Sequence, residues 1–183
     1  MSAIHTPSSI EAAPEAARPL LAAVEKQLGS VPNLFRVVSN SPAALEGQLG
    51  LNGALGKGAL DAKTRERIAL AVAQVNGCSY CLAAHSYLGR TLAKLDDAEI
   101  LRNRNGRSHE PKADAAVRFA VSIVTERGHV GPDAVHAVRA AGYDDGEIIE
   151  IVAHVALNTL TNYVNEVAGT AIDFPAVDLR LVS

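Results

Sequence analysis

The chain has 183 residues, 48% hydrophobic but only 4% aromatic, and a net charge of −3 with a pI near 6.1. That is enough for one domain, 1–183, with a real core, and the faintly acidic balance gives no electrostatic footprint for nucleic acid. No apolar stretch approaches the roughly 20 residues of a membrane span, and a start carrying Glu11 and Glu15 lacks a signal pattern, so a cytoplasmic address is expected.

Met1 to Ser9 is polar, holds Pro7 and an incidental His5, and reads as a frayed tail. Residues 11–28 carry Ala17, Leu20, Leu21, Val24 and Leu28 at helical spacing, and Gly29 stops the run. Val31 to Phe35 connects to a short helix through Val38. Ser41-Pro42 then opens a helix with Ser41 as N-cap, apolar at Leu45, Leu49 and Leu51 and fading at Gly53, Gly56 and Gly58. Asp61 caps the next helix, which carries Glu66 and stops at Asn76-Gly77. A new helix spans Ser79 to Arg90.

Further on, Asp96 or Asp97 starts a helix that ends near Asn103 to Gly106. Arg102, Arg104 and Arg107 read as a solvated face or loop, and His109 as exposed. Glu110-Pro111 opens a helix to Gly128, and Gly131-Pro132-Asp133 another to Ala141-Gly142. Asp144 or Asp145 caps the last long helix, with Ile148, Ile149, Val152, Val155 and Leu157 as its apolar face. Phe174-Pro175 begins an extended tail. With no strand pattern, the class is all-α, some seven or eight helices.

The chemistry concentrates between Glu66 and His85. Cys78 and Cys81, the two cysteines of the chain, are placed near the N-cap and in the first turn of a helix, where free N–H groups and the dipole favour a thiolate. His85 lies four residues after Cys81, on the same face, and can exchange its proton. Three readings of the pair are open. It can be a redox dithiol. It can be part of a zinc site with His85 and either Glu66 or His154, although no second C-x-x-C is present. It can also be two inert buried thiols.

Glu66, eleven residues, Cys78-x-x-Cys81, three residues and His85 resemble the signature of the AhpD-like alkylhydroperoxidases of the carboxymuconolactone decarboxylase superfamily. The likeness is strong over Asp61 to Arg90 and looser on either side. It implies an AhpD-like helical domain built on a helix–turn–helix core. It implies no cofactor and no metal, Cys81 as the peroxidatic cysteine, Cys78 as resolving thiol, a disulfide between the two, and Glu66 with His85 as proton relay. It also implies a trimer or hexamer, a hydroperoxide substrate and an external thiol or dithiol reductant. The better-known alkylhydroperoxidases carry a second His where this chain has Tyr80, so the subgroup it resembles is the peroxidase-related one. A phenol cannot shuttle protons at neutral pH; it can hydrogen-bond a thiolate or pack on a helix. A His there is expected to raise turnover.

Two functions are therefore expected to compete: a thiol-dependent peroxidase, and a non-catalytic oligomeric helical protein that senses redox state or holds zinc. A lactone decarboxylase ranks below both, having no evident need of a cysteine pair. His154 reads as a satisfied core or interface histidine, and Asn158, Asn162 and Asn165 as a polar stripe reaching a neighbouring subunit. The Glu66 and Glu150 helices echo each other as generic Ala-rich helices.

Overall fold

The computed structural model describes residues 3–180. Among these lie nine α-helices and no strand: α1 Arg18–Leu28, α2 Asn33–Val38, α3 Pro42–Leu55, α4 Ala62–Val75, α5 Ser79–Thr91, α6 Asp97–Arg104, α7 Pro111–Thr125, α8 Pro132–Ala140 and α9 Asp145–Ala168. The expected seven or eight undercounts, because each of the nine helical runs read along the chain, the short one through Val38 included, forms a helix of its own. No helix among the described residues is long and apolar enough to cross a membrane.

Two helices organise the rest. α4 packs against α5, α6, α7 and α9, and α9 in turn meets α2, α3, α5, α7 and α8. The middle of α4, from Arg67 to Ala73, is buried on every side, as a helix enclosed by neighbours must be. Its alanines let those neighbours approach. Ile68 and Val72 join Phe119 and Ile123 of α7 and Ile148, Ile151 and Val155 of α9 in one core. Leu70 and Ala73 join Cys78, Tyr80, Cys81 and Leu82 in a second.

Side chains set the helix starts. Ser41, Asp61, Asp96 and Asp144 each accept a backbone N–H from the first turn of the following helix, and Glu147 reaches back to the Asp144 N–H to complete a capping box.

Several expectations are corrected. The first helix starts at Arg18, not residue 11, after a 3-10 turn at Glu15–Ala17; Pro19 lacks the N–H a helix interior needs, so it can stand only in a first turn. The N-terminal segment is not frayed where it is described. Pro7 is fully buried, Ala3 N–H donates to Ala168 O, and Arg36 and Asn40 donate to the carbonyls of Ser8 and His5. Met1 and Ser2 lie outside the described residues. Leu51 is exposed and Gln48 takes the inward position beside Leu45. On α9, Ile149 and Val152 point outward, and Ile148, Ile151 and Val155 point in. Arg102 and Arg107 are exposed or partly so, as expected, but Arg104 is half-buried, donating to Gln74 Oε1 and the Asp178 carbonyl to hold the C-terminal tail.

The Glu66/Glu150 echo has no common role. Glu150 accepts the Ala59 and Leu60 N–H groups at 2.9 and 3.1 Å and ties the α3–α4 loop to α9. A Cβ on Gly58 would fall against that carboxylate, well inside van der Waals contact, so the close approach requires glycine.

Candidate active site

The end of α4 builds the site. Asn76 is its last near-helical residue and Gly77 turns left-handed at φ +69°. Gly77 N–H bonds Gln74 O and Cys78 N–H bonds Ala73 O at 3.0 Å, the paired closure that satisfies a helix's last carbonyls. This turn delivers Cys78 as the N-cap of α5, its sulfur accepting the Cys81 N–H at 3.3 Å. Cys81 thus stands in the first turn, where the dipole favours negative charge.

Both thiols are free and buried, Cys78 fully and Cys81 to 3% exposure. They are not equivalent. The Cys78 thiol donates a hydrogen bond to Cys81, and against the cost of burial the charge on His85 and the amides of Asn165 and Asn162 add to it. The Cys81 pKa falls from 9.0 to about 6. The same hydrogen bond, burial and the negative Cys81 hold Cys78 far above the usual thiol range. The pair shares one proton, and Cys78 keeps it.

His85 sits one turn beyond Cys81, its Nδ1 2.9 Å from Glu66 Oε2. Burial presses the imidazole towards neutrality, but the Glu66 carboxylate and the Cys81 charge outweigh it and raise its pKa. These two side chains are 22% and 21% exposed and form the solvent edge of the site.

The third wall comes from α9. Asn165 Nδ2 lies 3.2 Å from Cys81 Sγ, and Asn162 Oδ1 accepts from Asn76 Nδ2 at 2.8 Å. The asparagine stripe therefore faces inward within the protomer, not towards another subunit: Asn158, Asn162 and Asn165 are 6%, 0% and 3% exposed. Sequence reasoning saw the stripe at helical spacing but not its direction, because α9 is apolar on both its other sides. His154 is buried, but it is not satisfied: Nε2 has no partner among the described residues. Burial, then Arg65, lower its pKa against the pull of Glu150 and Glu66.

Tyr80 packs in the same core as the two cysteines. Its hydroxyl accepts the Leu34 N–H at 3.2 Å, and its ring meets Phe174 edge-on at 5.8 Å. It clamps α2 and the C-terminal tail. Among the described residues no group of three or more His, Cys, Asp or Glu side chains is placed to hold a metal ion.

Residues 42–122, from α3 into α7, match the sequence profile of the carboxymuconolactone decarboxylase family. The chain resembles that family over this stretch, which is under half of its length. Its fold is AhpD-like. A peroxidase-related protein from Ralstonia eutropha JMP134, described as an alkylhydroperoxidase AhpD core, superposes with a TM-score of 0.83 at 24% identity, covering 94% of this chain and 92% of that one. A peroxidase-related protein from Silicibacter sp. TM1040 gives 0.77 at 21% identity over 86% and 85%. The debrominase Bmp8, as a cysteine-to-alanine variant in complex with 2,3,4-tribromopyrrole, gives 0.78 at 21% over 94% of each chain. Comparison with curated proteins returned no match. The family profile spans Glu66, Cys78, Cys81 and His85, whereas His154, Asn162 and Asn165 fall beyond it.

Proposed function

We propose that this chain is a carboxymuconolactone decarboxylase family protein and a thiol-dependent peroxidase acting on hydrogen peroxide or small organic hydroperoxides. The observation that carries the reading is the placement of the thiol pair: Cys78 caps α5 with its sulfur on the Cys81 N–H, and Cys81 stands in the first turn with Asn165 Nδ2 on its own sulfur, an arrangement that pulls the Cys81 pKa down to about 6 and holds Cys78 above the usual thiol range. At neutral pH roughly ten Cys81 groups are thiolates for each thiol, and the thiolate is the nucleophile.

The Cys81 thiolate attacks the terminal oxygen of the hydroperoxide. The S–O bond forms as the O–O bond breaks, and the leaving alkoxide or hydroxide takes a proton from the His85 imidazolium, which Glu66 orients and keeps charged. Cys81 is left as a sulfenic acid. Cys78 then condenses with it, forming the S–S bond and releasing water. An external thiol or dithiol reduces the disulfide by exchange.

The chain works as one domain and assembles as a homo-oligomer in this reading. Ile149, Val152, Leu160, Tyr163 and Val167 make an exposed apolar stripe along α9, too large to leave facing water on a monomer without cause.

The test is consumption of hydrogen peroxide and cumene hydroperoxide with several thiol reductants, for wild type, Cys81→Ser and Cys78→Ser. Cys81→Ser should abolish consumption. Cys78→Ser should react once and stop at a sulfenic acid that a dimedone probe traps. Wild type inert to every hydroperoxide would overturn the proposal. Debromination of tribromopyrrole by such inert protein would redirect it towards the chemistry named for Bmp8.

A further inference from the structure

Around Cys81 Sγ two amides are half used. Asn165 spends its Nδ2 on the sulfur, while its Oδ1 has no hydrogen-bond partner among the described residues. Asn162 spends its Oδ1 on Asn76, which fixes the amide, while its Nδ2 has none. The two residues stand three apart on the inward face of α9, 0% and 3% exposed, and both favour the charged sulfur. Buried amide atoms are normally paired, so orphans of this kind need an explanation.

The orphans are complementary: one free acceptor and one free donor beside one nucleophile. A hydroperoxide presents the matching set, an O–H donor on the terminal oxygen and an acceptor on the oxygen that leaves. Building on the peroxidase reading, we propose that Asn165 and Asn162 form the hydroperoxide-binding side of the site and are catalytic residues. Asn165 holds the thiolate with Nδ2 and accepts the terminal O–H with Oδ1. Asn162 Nδ2 hydrogen-bonds the leaving oxygen as the O–O bond breaks, sharing with the His85 proton the charge that develops there. A donor aimed at developing charge acts in the transition state more than in the ground state.

An alkylating agent needs the thiolate but leaves no oxygen anion, so it separates the two duties. Reduced full-length protein is reacted with hydrogen peroxide and with iodoacetamide at about pH 8, above the Cys81 pKa and below the ordinary thiol value, and the ratio of the two rates is compared. Asn162→Leu should lower that ratio by roughly 10²-fold, as removal of an oxyanion donor does. Asn165→Leu should lower it too, and both losses should shift the alkylation midpoint upward, Asn165→Leu the more. Asn158→Leu is the control, because Asn158 donates to the His154 carbonyl on its own helix; it should leave ratio and midpoint unchanged. If Asn162→Leu fails to fold, Asn162→Asp keeps the shape and replaces the donor by an acceptor, with the same fall expected. A wild-type ratio in a folded Asn162 variant overturns this inference and leaves the peroxidase reading standing. Wild-type protein that alkylates but never reacts with peroxide overturns both.

Discussion

Adjacent residues of α4 open onto two buried polar centres of opposite character. Arg67 turns into a closed network. Its Nε lies 2.8 Å from Glu99 Oε1 and its Nη1 2.9 Å from Glu110 Oε2. Glu99 also accepts from the Ser108 hydroxyl, the His109 N–H and Asn103 Nδ2. Burial would raise the Glu99 pKa, but these donors, Ser108 first, bring it from 4.5 to about 2. One atom there, Asn103 Oδ1, lacks a partner among the described residues. Glu66, one residue earlier, turns to the thiol site, where Asn162 Nδ2 and Asn165 Oδ1 are unpartnered among the described residues, as is His154 Nε2 within reach of the Glu66 charge. A polar centre whose bonds close on themselves fixes α4, α6 and the loop after α6. A centre left with free donors and acceptors keeps them for something that arrives.

Substitutions on the two sides should fail in different ways. The largest effect belongs to the open side. His85→Gln and Glu66→Gln should each slow oxidation of Cys81 by peroxide by about 10²–10⁴-fold, the usual worth of a general acid–base group, with little change in melting temperature. The double variant should be scarcely slower than the slower single, since the pair acts as one unit. Stopped-flow oxidation of the four proteins checks this, and additive losses would mean that the two do not form one relay.

The closed side should lose stability instead. Glu99→Gln leaves a buried guanidinium without its nearest carboxylate and should cost about 3–5 kcal/mol by urea unfolding, while the Cys81 alkylation midpoint stays in place. The sign with pH follows from a depressed carboxyl. Glu99 contributes stability above its unfolded pKa, and that contribution fades as pH falls from 4.5 towards about 2. Acid unfolding of wild type should therefore steepen in that window, and Glu99→Gln should flatten it.

A smaller effect joins the two measurements at the turn. Gly77 is at φ +69° with open space where a Cβ would go, so Gly77→Ala should cost only the backbone penalty, about 1–2 kcal/mol. It should also disturb the alkylation midpoint, because the same turn seats Cys78 as the cap.

Much of this was legible in the chain because it is local. The caps Ser41, Asp61, Asp96 and Asp144, the stop at Asn76-Gly77 and the register of Cys78, Cys81 and His85 are decided within a few residues of each position. The Arg67–Glu99 pair, separated by 32 residues, and the docking of Phe174 on Tyr80 depend on tertiary packing that no periodicity announces. α9 shows the ambiguity most plainly. It carries apolar residues on two faces, so the pattern could not say that Ile149 and Val152 look outward or that Asn162 and Asn165 look at sulfur.

The two cysteines of one short turn ionise far apart, and that difference can be read residue by residue. Reduced protein is pulse-labelled with iodoacetamide from about pH 4.5 to about 9.5, a range spanning the ordinary thiol value, and digested with trypsin. Fragmentation of the peptide between Arg67 and Arg90 then assigns the label to Cys78 or Cys81. Cys81 should label with a midpoint near 6, and Cys78 should stay unlabelled throughout. Cys78 labelling first, or both cysteines labelling together near the ordinary thiol pKa of about 8.5, would contradict this.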